Sequence, residues 1–514
     1  MTAKALSERR PAGVPSPRLL VTLLTLVVAV RVATLPLYPL VDPSESRYAE
    51  IAREMAATGD WITPRIDGGR PFWAKPPLGI WASAASLRVF GSSEAAVRLP
   101  GLLFFAGTAL LLLAAGRRLT DRATALAGVV VYASAVLPFA LAGTVMTDPA
   151  LVFATTLSMA AFVLARDAEA RGAAGRGARI AWGLAFFVGL GLGLLAKGPV
   201  ALVLTLVPLG AWALLCGEVR RTWRALPWLA GPPLALAIAL PWYLAAERAT
   251  PGFLEYFLVG EHFRRFVDKD WHGDLYGAPR VKPYGTIWAL WVAAALPWCI
   301  PLGVRALRRV PHVRTWPGAL RGATARLRGE PERALLVAFA LAPLLFFTPA
   351  SAVIMTYVGP GLPAFALLAA RALRGGDGRP AAGPRAFAAW ALALPCAFLA
   401  LVLVPPARAQ LFEHSHVRLV ALWRAHADDG SVLAYACSVP ESAAYYSAGT
   451  ARPLADAPAE AWQALLDTPA CDFVVTKRDD GGPALRLFRR AAKKIATCGD
   501  YALWLEDGTQ PRGQ

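Results

Sequence analysis

Apolar runs of membrane-spanning length are the feature that most limits what this chain can become. A bilayer's hydrocarbon core takes about 20 apolar residues per helical crossing. Eleven runs near that length lie at roughly 17–38, 99–116, 123–142, 149–166, 180–197, 199–216, 225–246, 283–304, 334–350, 354–373 and 386–404. Within lipid the backbone must satisfy its own hydrogen bonds, so such runs are read as helices. Composition agrees, since 56% of the 514 residues are hydrophobic and only 17% charged, outside the range of soluble domains. The expected fold is mainly α, a polytopic membrane bundle of about eleven transmembrane helices. The first run is too long, and lacks the small-residue cleavage site, for a removed signal peptide, so it is expected to stay as the first span.

A net charge of +18 raises the question of nucleic acid. The basic residues are neither gathered in one arm nor mixed with stacking aromatics, and no nucleic-acid partner is expected. They alternate by loop instead. If Lys4, Arg9, Arg10 and Arg18 are cytoplasmic, eleven spans make every second connection cytoplasmic too. Those connections carry Arg117, Arg118 and Arg122; Arg166, Arg171, Arg176 and Arg179; Arg220, Arg221 and Arg224; Arg305, Arg308, Arg309 and Arg314; and Arg371, Arg374, Arg379 and Arg385. The opposite connections 143–148 and 348–353 contain no Lys or Arg, as the positive-inside rule requires. The N-terminus is therefore expected to be cytoplasmic. The outward-facing pieces are 39–98, 143–148, 247–282, 348–353 and the tail.

This divides the chain into a membrane domain, 1–404, and a C-terminal exported domain, 405–514. In the tail, "SVLAYAC" and "DFVVTKR" read as strands, and "EAWQALLD" and "ALRLFRRAAKK" as helices, giving a small α/β domain. Cys437, Cys471 and Cys498 lie there, where an oxidising compartment would permit one disulfide. The stretches "RGAAGRGAR" and "RGGDGRPAAGPR" read as basic cytoplasmic loops that face lipid headgroups.

On the expected outer face, "VDPSESRYAEIAREM" places Asp42 before Pro43 and Glu45 three residues after the Asp. That is a helix start, with Asp42 as cap, Pro43 in the first position and Glu45 closing the box. Tyr48, Ile51, Ala52 and Met55 then form one apolar stripe of a helix lying in the membrane interface. "TDPALV" repeats the pattern with Asp148 before Pro149, and "AKGPVAL" puts Lys197 and Gly198 before Pro199. Helix N-termini stabilise anions, whether the protein's own carboxylates or a ligand's phosphate. "RPFWAKPPLGIW" adds Lys75 beside an aromatic belt. "GEHFRRFVDKDWHGDLYGAP" concentrates His262, Arg264, Arg265, Asp268, Lys269, Asp270, His272 and Asp274. Each charge alone has a solvated explanation, while together they describe a mixed-charge chamber above apolar grooves.

These residues carry a family pattern. "DPSESRYAEIAREMAATGDWITPRIDGGRPFWAKPPLGIWASAASLRVFGSSEAAVRLP" resembles the first outer loop of bacterial GT-C glycosyltransferases of the protein-mannosyltransferase and lipid A aminoarabinose-transferase type, families 39 and 83. The resemblance continues in order through "TDPAL", "LLAKGPVAL", "EHFRRF", "LPW" and "TYVGPGLPAFALLAAR", over most of residues 20–375. It implies a GT-C fold and an inner-membrane enzyme with its C-terminal domain in the periplasm. The reaction implied moves a hexosyl or pentosyl group, with inversion, from an undecaprenyl-phosphate or similar polyprenyl-phosphate donor to a lipid A-type, other lipid, glycan or protein acceptor. Asp42 and Asp148 match the catalytic acidic positions, and Lys75 and Tyr357 match positions near the donor phosphate. Lys197 and Arg265 are further cations for that phosphate, and Glu45, Arg47, Tyr48 and His262 are further outer-face candidates. The chain departs from relatives at Ala74, where many have a Glu linked with metal binding, and it lacks the lysines often found before the Tyr. A divalent ion, with Asp42 and His262 as its candidate ligands, stays open. Two other functions stay open as well: a lipid-linked sugar transporter or flippase, and a non-catalytic subunit of a glycan assembly pathway.

Overall fold

The computed structural model describes residues 15–265, 273–276, 281–307, 322, 325–374, 383–428, 430–454, 473–477 and 492–506. Asp268, Lys269, Asp270, His272 and Cys471 lie outside the described residues. The chain forms two compact units: one of 1–33, 73–79 and 99–398, the other of 34–72, 80–98 and 399–514. The sequence reading places a single boundary near residue 404. The grouping of contacts instead joins most of the first loop segment to the C-terminal part.

The first unit is helical, and every apolar run in it falls on helix. Its main elements are α1 (Pro17–Thr34), α4 (Glu94–Leu119), α5 (Arg122–Ser134), α6 (Val136–Leu141), α7 (Asp148–Ala170), α8 (Arg176–Lys197), α9 (Val200–Leu215) and α11 (Gly231–Ala249), with α1 and α4 extending past its edges. Between α9 and α11 lies the short α10 (Val219–Ala225). Among the described residues, five helices are long and apolar enough to cross a membrane: Pro17–Thr34, Glu94–Leu119, Asp148–Ala170, Gly172–Lys197 and Pro384–Leu403. A sixth arises if the pair Thr286–Ala294 and Cys299–Leu307, bent by 115°, is one span. Other runs that the sequence suggests as single spans are interrupted. The run at 123–142 breaks where Ala135 turns extended between α5 and α6, and the run at 354–373 begins as a 3-10 turn, Met355–Gly361, before its α-helix Leu362–Arg374.

Helix α7 is the hub and is buried along most of its length. It packs closely along α8 because Gly189 has no side chain. A Cβ there would come within 2.3 Å of the Ser158 hydroxyl, which donates to the Phe186 carbonyl at 3.0 Å. Helix α8 in turn packs on α11, and the helix Pro331–Phe347 on α9.

The second unit contains α2 (Ser44–Thr58), the small hairpin β1 (Arg65–Ile66) and β2 (Arg70–Pro71), and most of α3 (Leu78–Phe90). It also contains a sheet of β3 (Leu433–Tyr435), β4 (Arg452–Pro453), β5 (Phe473–Lys477), β6 (Ala492–Cys498) and β7 (Tyr501–Glu506). The sheet order is β4-β3-β5-β7-β6, with β3 parallel to β4 and β5 and the remaining pairs antiparallel. Phe473, Val474 and Val475 of the central strand are fully buried, so the expected α/β character of the tail holds. The helix expected over 484–494 does not extend to its end, because Lys493 and Lys494 pair with β7 as part of β6. Pairing with a neighbouring strand overrides the local helical preference of "AAKK". Cys498 is a free thiol.

The start of α2 is organised by Arg98, whose side chain is fully buried. Its guanidinium donates twice to Glu45, at 2.8 and 2.9 Å, and to the carbonyls of Leu35, Tyr38 and Pro39 at 2.8–2.9 Å. It also lies 3.8 Å from the Tyr38 ring centroid. Four chain positions that no regular element links are thus tied to one planar fork. Breaking such a pair strands a buried charge, at a cost of about 3–5 kcal/mol. Arg98→Ala is expected to lower the thermal unfolding midpoint of the detergent-solubilised protein by several degrees, and Arg98→Met with Glu45→Gln to restore part of it. An unchanged midpoint for Arg98→Ala would refute the clamp.

Candidate functional site

The residues singled out in the sequence gather at two places, one in each unit. In the first unit, Lys75, Lys197, Arg265, Tyr357 and His262 line one cavity of about 190 Å³, together with Glu261 and the apolar Leu151, Val200, Val203, Leu204, Phe346 and Phe347. Lys75 reaches it on the short segment 73–79. The Trp73 N–H donates to the Tyr276 hydroxyl at 2.9 Å, and its indole N–H donates to Thr250 at 3.1 Å, which fixes that segment against 250–276.

Glu261 is the centre of the charge arrangement, and the sequence reading passes over it. Its carboxylate accepts from Arg265 Nη1 at 2.9 and 3.0 Å, from Lys75 Nζ at 3.4 Å and from the Tyr256 hydroxyl at 3.2 Å. The side chain is 4% exposed. Burial would raise its pKa, but Lys75 and Arg265 outweigh that and hold it below the ordinary glutamate value. Lys75 is shifted the other way. Burial pushes its pKa down, Lys197 and Arg265 add to the fall, and Glu261 opposes it. At Arg265 burial is outweighed by Glu261, so the guanidinium stays firmly charged. Its Nε–H is buried and has no partner among the described residues. The signal available in sequence was Glu261 four residues before Arg265, the spacing of a same-face ion pair.

Asp148 and Lys197 form a buried ion pair with each other. Asp148 therefore does not cap α7, whose preceding residue Thr147 makes no capping bond either. The Lys197 ammonium lies 4.9 Å from the Tyr357 ring centroid, and that ring packs against Phe347 at 4.7 Å, tilted by 34°. Lys197 is the last residue of α8, and Gly198 follows it at φ 78°. A side chain at 198 would meet Phe257 at 2.7 Å and His262 Nε2 at 3.1 Å, so the left-handed glycine is what lets the 255–264 segment close over this corner. That segment is a π-helix, a form frequent at functional sites.

Both ring nitrogens of His262 face backbone carbonyls, Phe257 at 2.8 Å and Lys197 at 3.1 Å. Burial keeps its pKa below the ordinary histidine value despite those carbonyls. A ring nitrogen so engaged has no lone pair directed into the cavity. Ala74 presents only a methyl group, and no cluster of three His, Cys, Asp or Glu suited to a metal occurs among the described residues. The donor set among the described residues does not fit a divalent ion here.

Asp42 belongs to the second unit. Its Oδ1 accepts from the Ser46 hydroxyl and from the Ser442 N–H at 2.9 Å, and its Oδ2 accepts from the Ser442 hydroxyl. The Asp42 N–H donates to the His414 carbonyl at 3.0 Å. The expected cap is therefore absent: α2 begins at Ser44 with no side-chain capping bond. Burial raises the Asp42 pKa above the ordinary aspartate value, although Ser442, Ser46 and Arg47 all favour its charged form. Glu45 does reach back, to the Val41 N–H at 3.3 Å, but its main partner is Arg98. Arg47 pairs with Glu441 at 2.8 Å, and Tyr48 meets Phe72 edge-on at 6.0 Å.

Comparison with known proteins follows the same lines. Residues 18–257 match the family model described as dolichyl-phosphate-mannose-protein mannosyltransferase. The undecaprenyl phosphate-alpha-4-amino-4-deoxy-L-arabinose arabinosyl transferase 1 of Sodalis glossinidius is 33% identical over 335 residues, 64% of this chain and 54% of that protein. The corresponding transferase of Pseudomonas paraeruginosa is 33% identical over 337 residues, 64% of this chain and 55% of that one. The chain thus spans about half the length of the curated relatives it matches. The crystal structure of ArnT from Cupriavidus metallidurans bound to undecaprenyl phosphate superposes with a TM-score of 0.72 at 19% identity, covering 96% of this chain and 99% of the other. The apo structure gives 0.73 at 18%, covering 94% and 97%. Residues 18–257 therefore carry the protein-mannosyltransferase pattern, and the chain has the GT-C fold of the lipid A aminoarabinose-transferase type.

Proposed function

We propose that the protein is an integral membrane glycosyltransferase that moves a sugar, with inversion, from an undecaprenyl-phosphate donor to a lipid A-type acceptor at the periplasmic face of the inner membrane. The observation that carries this is the cavity of the first unit. Lys75, Lys197 and Arg265 bring cations to it, Arg265 with an N–H that has no partner among the described residues, and Leu151, Val200, Val203, Leu204, Phe346 and Phe347 give it apolar wall. That combination suits an amphipathic lipid phosphate. The names of the relatives, and the undecaprenyl phosphate bound to the Cupriavidus protein, support the same donor.

In this reaction the bond between the anomeric carbon and the phosphate oxygen breaks, and the phosphate leaves with the electron pair. Fixed cations stabilise that charge best where water is sparse. Glu261 holds Lys75 and Arg265 in place, and Asp148 does the same for Lys197. Asp42 orients the acceptor hydroxyl and takes its proton as the new bond to the anomeric carbon forms. Its raised pKa suits a base at neutral pH. If the acceptor group is itself a phosphate, no proton moves and Asp42 positions it.

Each role has an expected outcome. Lys75→Ala and Arg265→Ala should each weaken undecaprenyl phosphate binding to the purified protein about 10- to 100-fold, the loss of a charge-assisted hydrogen bond; unchanged binding in both would remove the phosphate assignment. Because Lys75 titrates below the ordinary lysine value of 10.5, donor affinity should begin to fall as pH rises toward that lowered pKa. Lys75→Arg should flatten the fall. Asp42→Asn should abolish transfer while leaving undecaprenyl phosphate binding intact, and full transfer by a correctly inserted Asp42→Asn protein would end its catalytic role. Mass spectrometry of lipid A from cells with and without the protein tests the acceptor. A transporter or flippase, or a non-catalytic subunit, would leave no sugar-modified product that depends on Asp42.

A further inference from the structure

Asp42 is held by residues from the far end of the chain, and the way they hold it is specific. Ser442 is fully buried, and three hydrogen bonds fix its orientation. Its hydroxyl oxygen accepts from the His416 N–H at 3.0 Å, so the hydroxyl proton is left to point at Asp42 Oδ2. Its own N–H donates to Oδ1 at 2.9 Å. The neighbouring contacts share the task. The His414 carbonyl receives the Asp42 N–H, and the Tyr446 hydroxyl accepts from the Leu40 N–H at 2.9 Å and donates to Glu94 at 2.9 Å. Two carboxylate oxygens offer about four lone-pair sites; among the described residues three are filled, by Ser46 and Ser442, which leaves one for a substrate proton.

We infer that Ser442 is a positioning residue for the transfer reaction: it fixes the Asp42 carboxylate in its ionised form with one lone pair free for the acceptor. This rests on the reading of Asp42 as the acceptor-side carboxylate. A packing role alone would need neither the N–H and hydroxyl donors converging on one carboxylate nor a His416 N–H that sets the direction of the hydroxyl. Among the described residues, the other groups that act on Asp42 are Arg47 of α2 and Tyr435 and Cys498 of the sheet, and next to Ser442 stands His416, whose pKa burial lowers to about 4. Burial raises the pKa of both Tyr435 and Cys498, so neither titrates on the acid side, where Asp42 does.

The test measures turnover as release of undecaprenyl phosphate from an undecaprenyl-phosphate-linked aminoarabinose donor with lipid A as acceptor, using the full-length protein in proteoliposomes. Ser442→Ala should lower kcat about 10- to 100-fold, the loss of a hydrogen bond to a charged group, with the donor KM unchanged. Removing a donor that favours the carboxylate raises the Asp42 pKa further, so the acid limb of the pH profile should move to higher pH. Ser442→Cys keeps the volume but loses the strong donor, and should behave like Ala; it carries the test if the Ala variant fails to insert. Ser442→Thr, which retains the hydroxyl, should recover most of the activity. Full activity with an unmoved acid limb in Ser442→Cys or Ser442→Ala overturns the inference. If Asp42→Asn is also fully active, the parent reading fails; if Asp42→Asn is dead while the Ser442 variants are fully active, only the role of Ser442 does.

Discussion

The buried fork between Arg98 and Glu45 is the interaction on which the second unit depends. It ties the short stretch 35–39, through the carbonyls of Leu35, Tyr38 and Pro39, to the first turn of α2. Asp42 lies between those carbonyls and Glu45, so the position of its carboxylate follows from how the fork is anchored. Hydrophobic burial alone would not fix it. Ala49, Ile51, Ala52 and Met55 bury one face of α2, but an apolar face tolerates sliding, whereas a bidentate guanidinium bond does not.

The first unit meets a different demand, which is to keep three cations close together in a poorly hydrated place before any ligand arrives. It does so by giving them carboxylate partners, Glu261 for Lys75 and Arg265 and Asp148 for Lys197. Removing a partner from such a group leaves a buried charge unpaired, which costs more than the pair gains. The carboxylates are therefore as much a part of this cavity's charge arrangement as the cations are. On this view the catalytic-looking Asp148 and the counter-ion Glu261 have comparable duties, although only the first stands out in the sequence.

How much was legible follows from the range of each interaction. Apolar runs became helices because lipid or packed protein leaves the backbone no other way to satisfy its hydrogen bonds. Their division into long spans and broken ones turned on local detail, such as the extended Ala135 between α5 and α6. "DPSE" and "TDP" have the grammar of helix caps, yet neither aspartate caps, because each finds a partner that no window of neighbouring residues contains: Ser442 for Asp42 and Lys197 for Asp148. The Lys493 and Lys494 stretch failed for the same reason, since β7 decided its conformation. Cavity-lining residues on separate elements, Lys75, His262, Arg265 and Tyr357 among them, came into view through ordered motifs, which record spatial company that periodicity cannot.

The pairing of Asp42 with Ser442 joins residues 400 positions apart, and this has a consequence for how the protein comes into being. At ordinary rates of synthesis, about 5–20 residues per second, the first loop segment is complete roughly 20–80 s before its partner exists. During that interval the carboxylate has Ser46 and water as partners. The stretch around Ser442 is thus what completes the geometry around Asp42, so a chain whose synthesis stops before it can hold the finished cavity of Lys75, Lys197 and Arg265 and still lack an ordered Asp42.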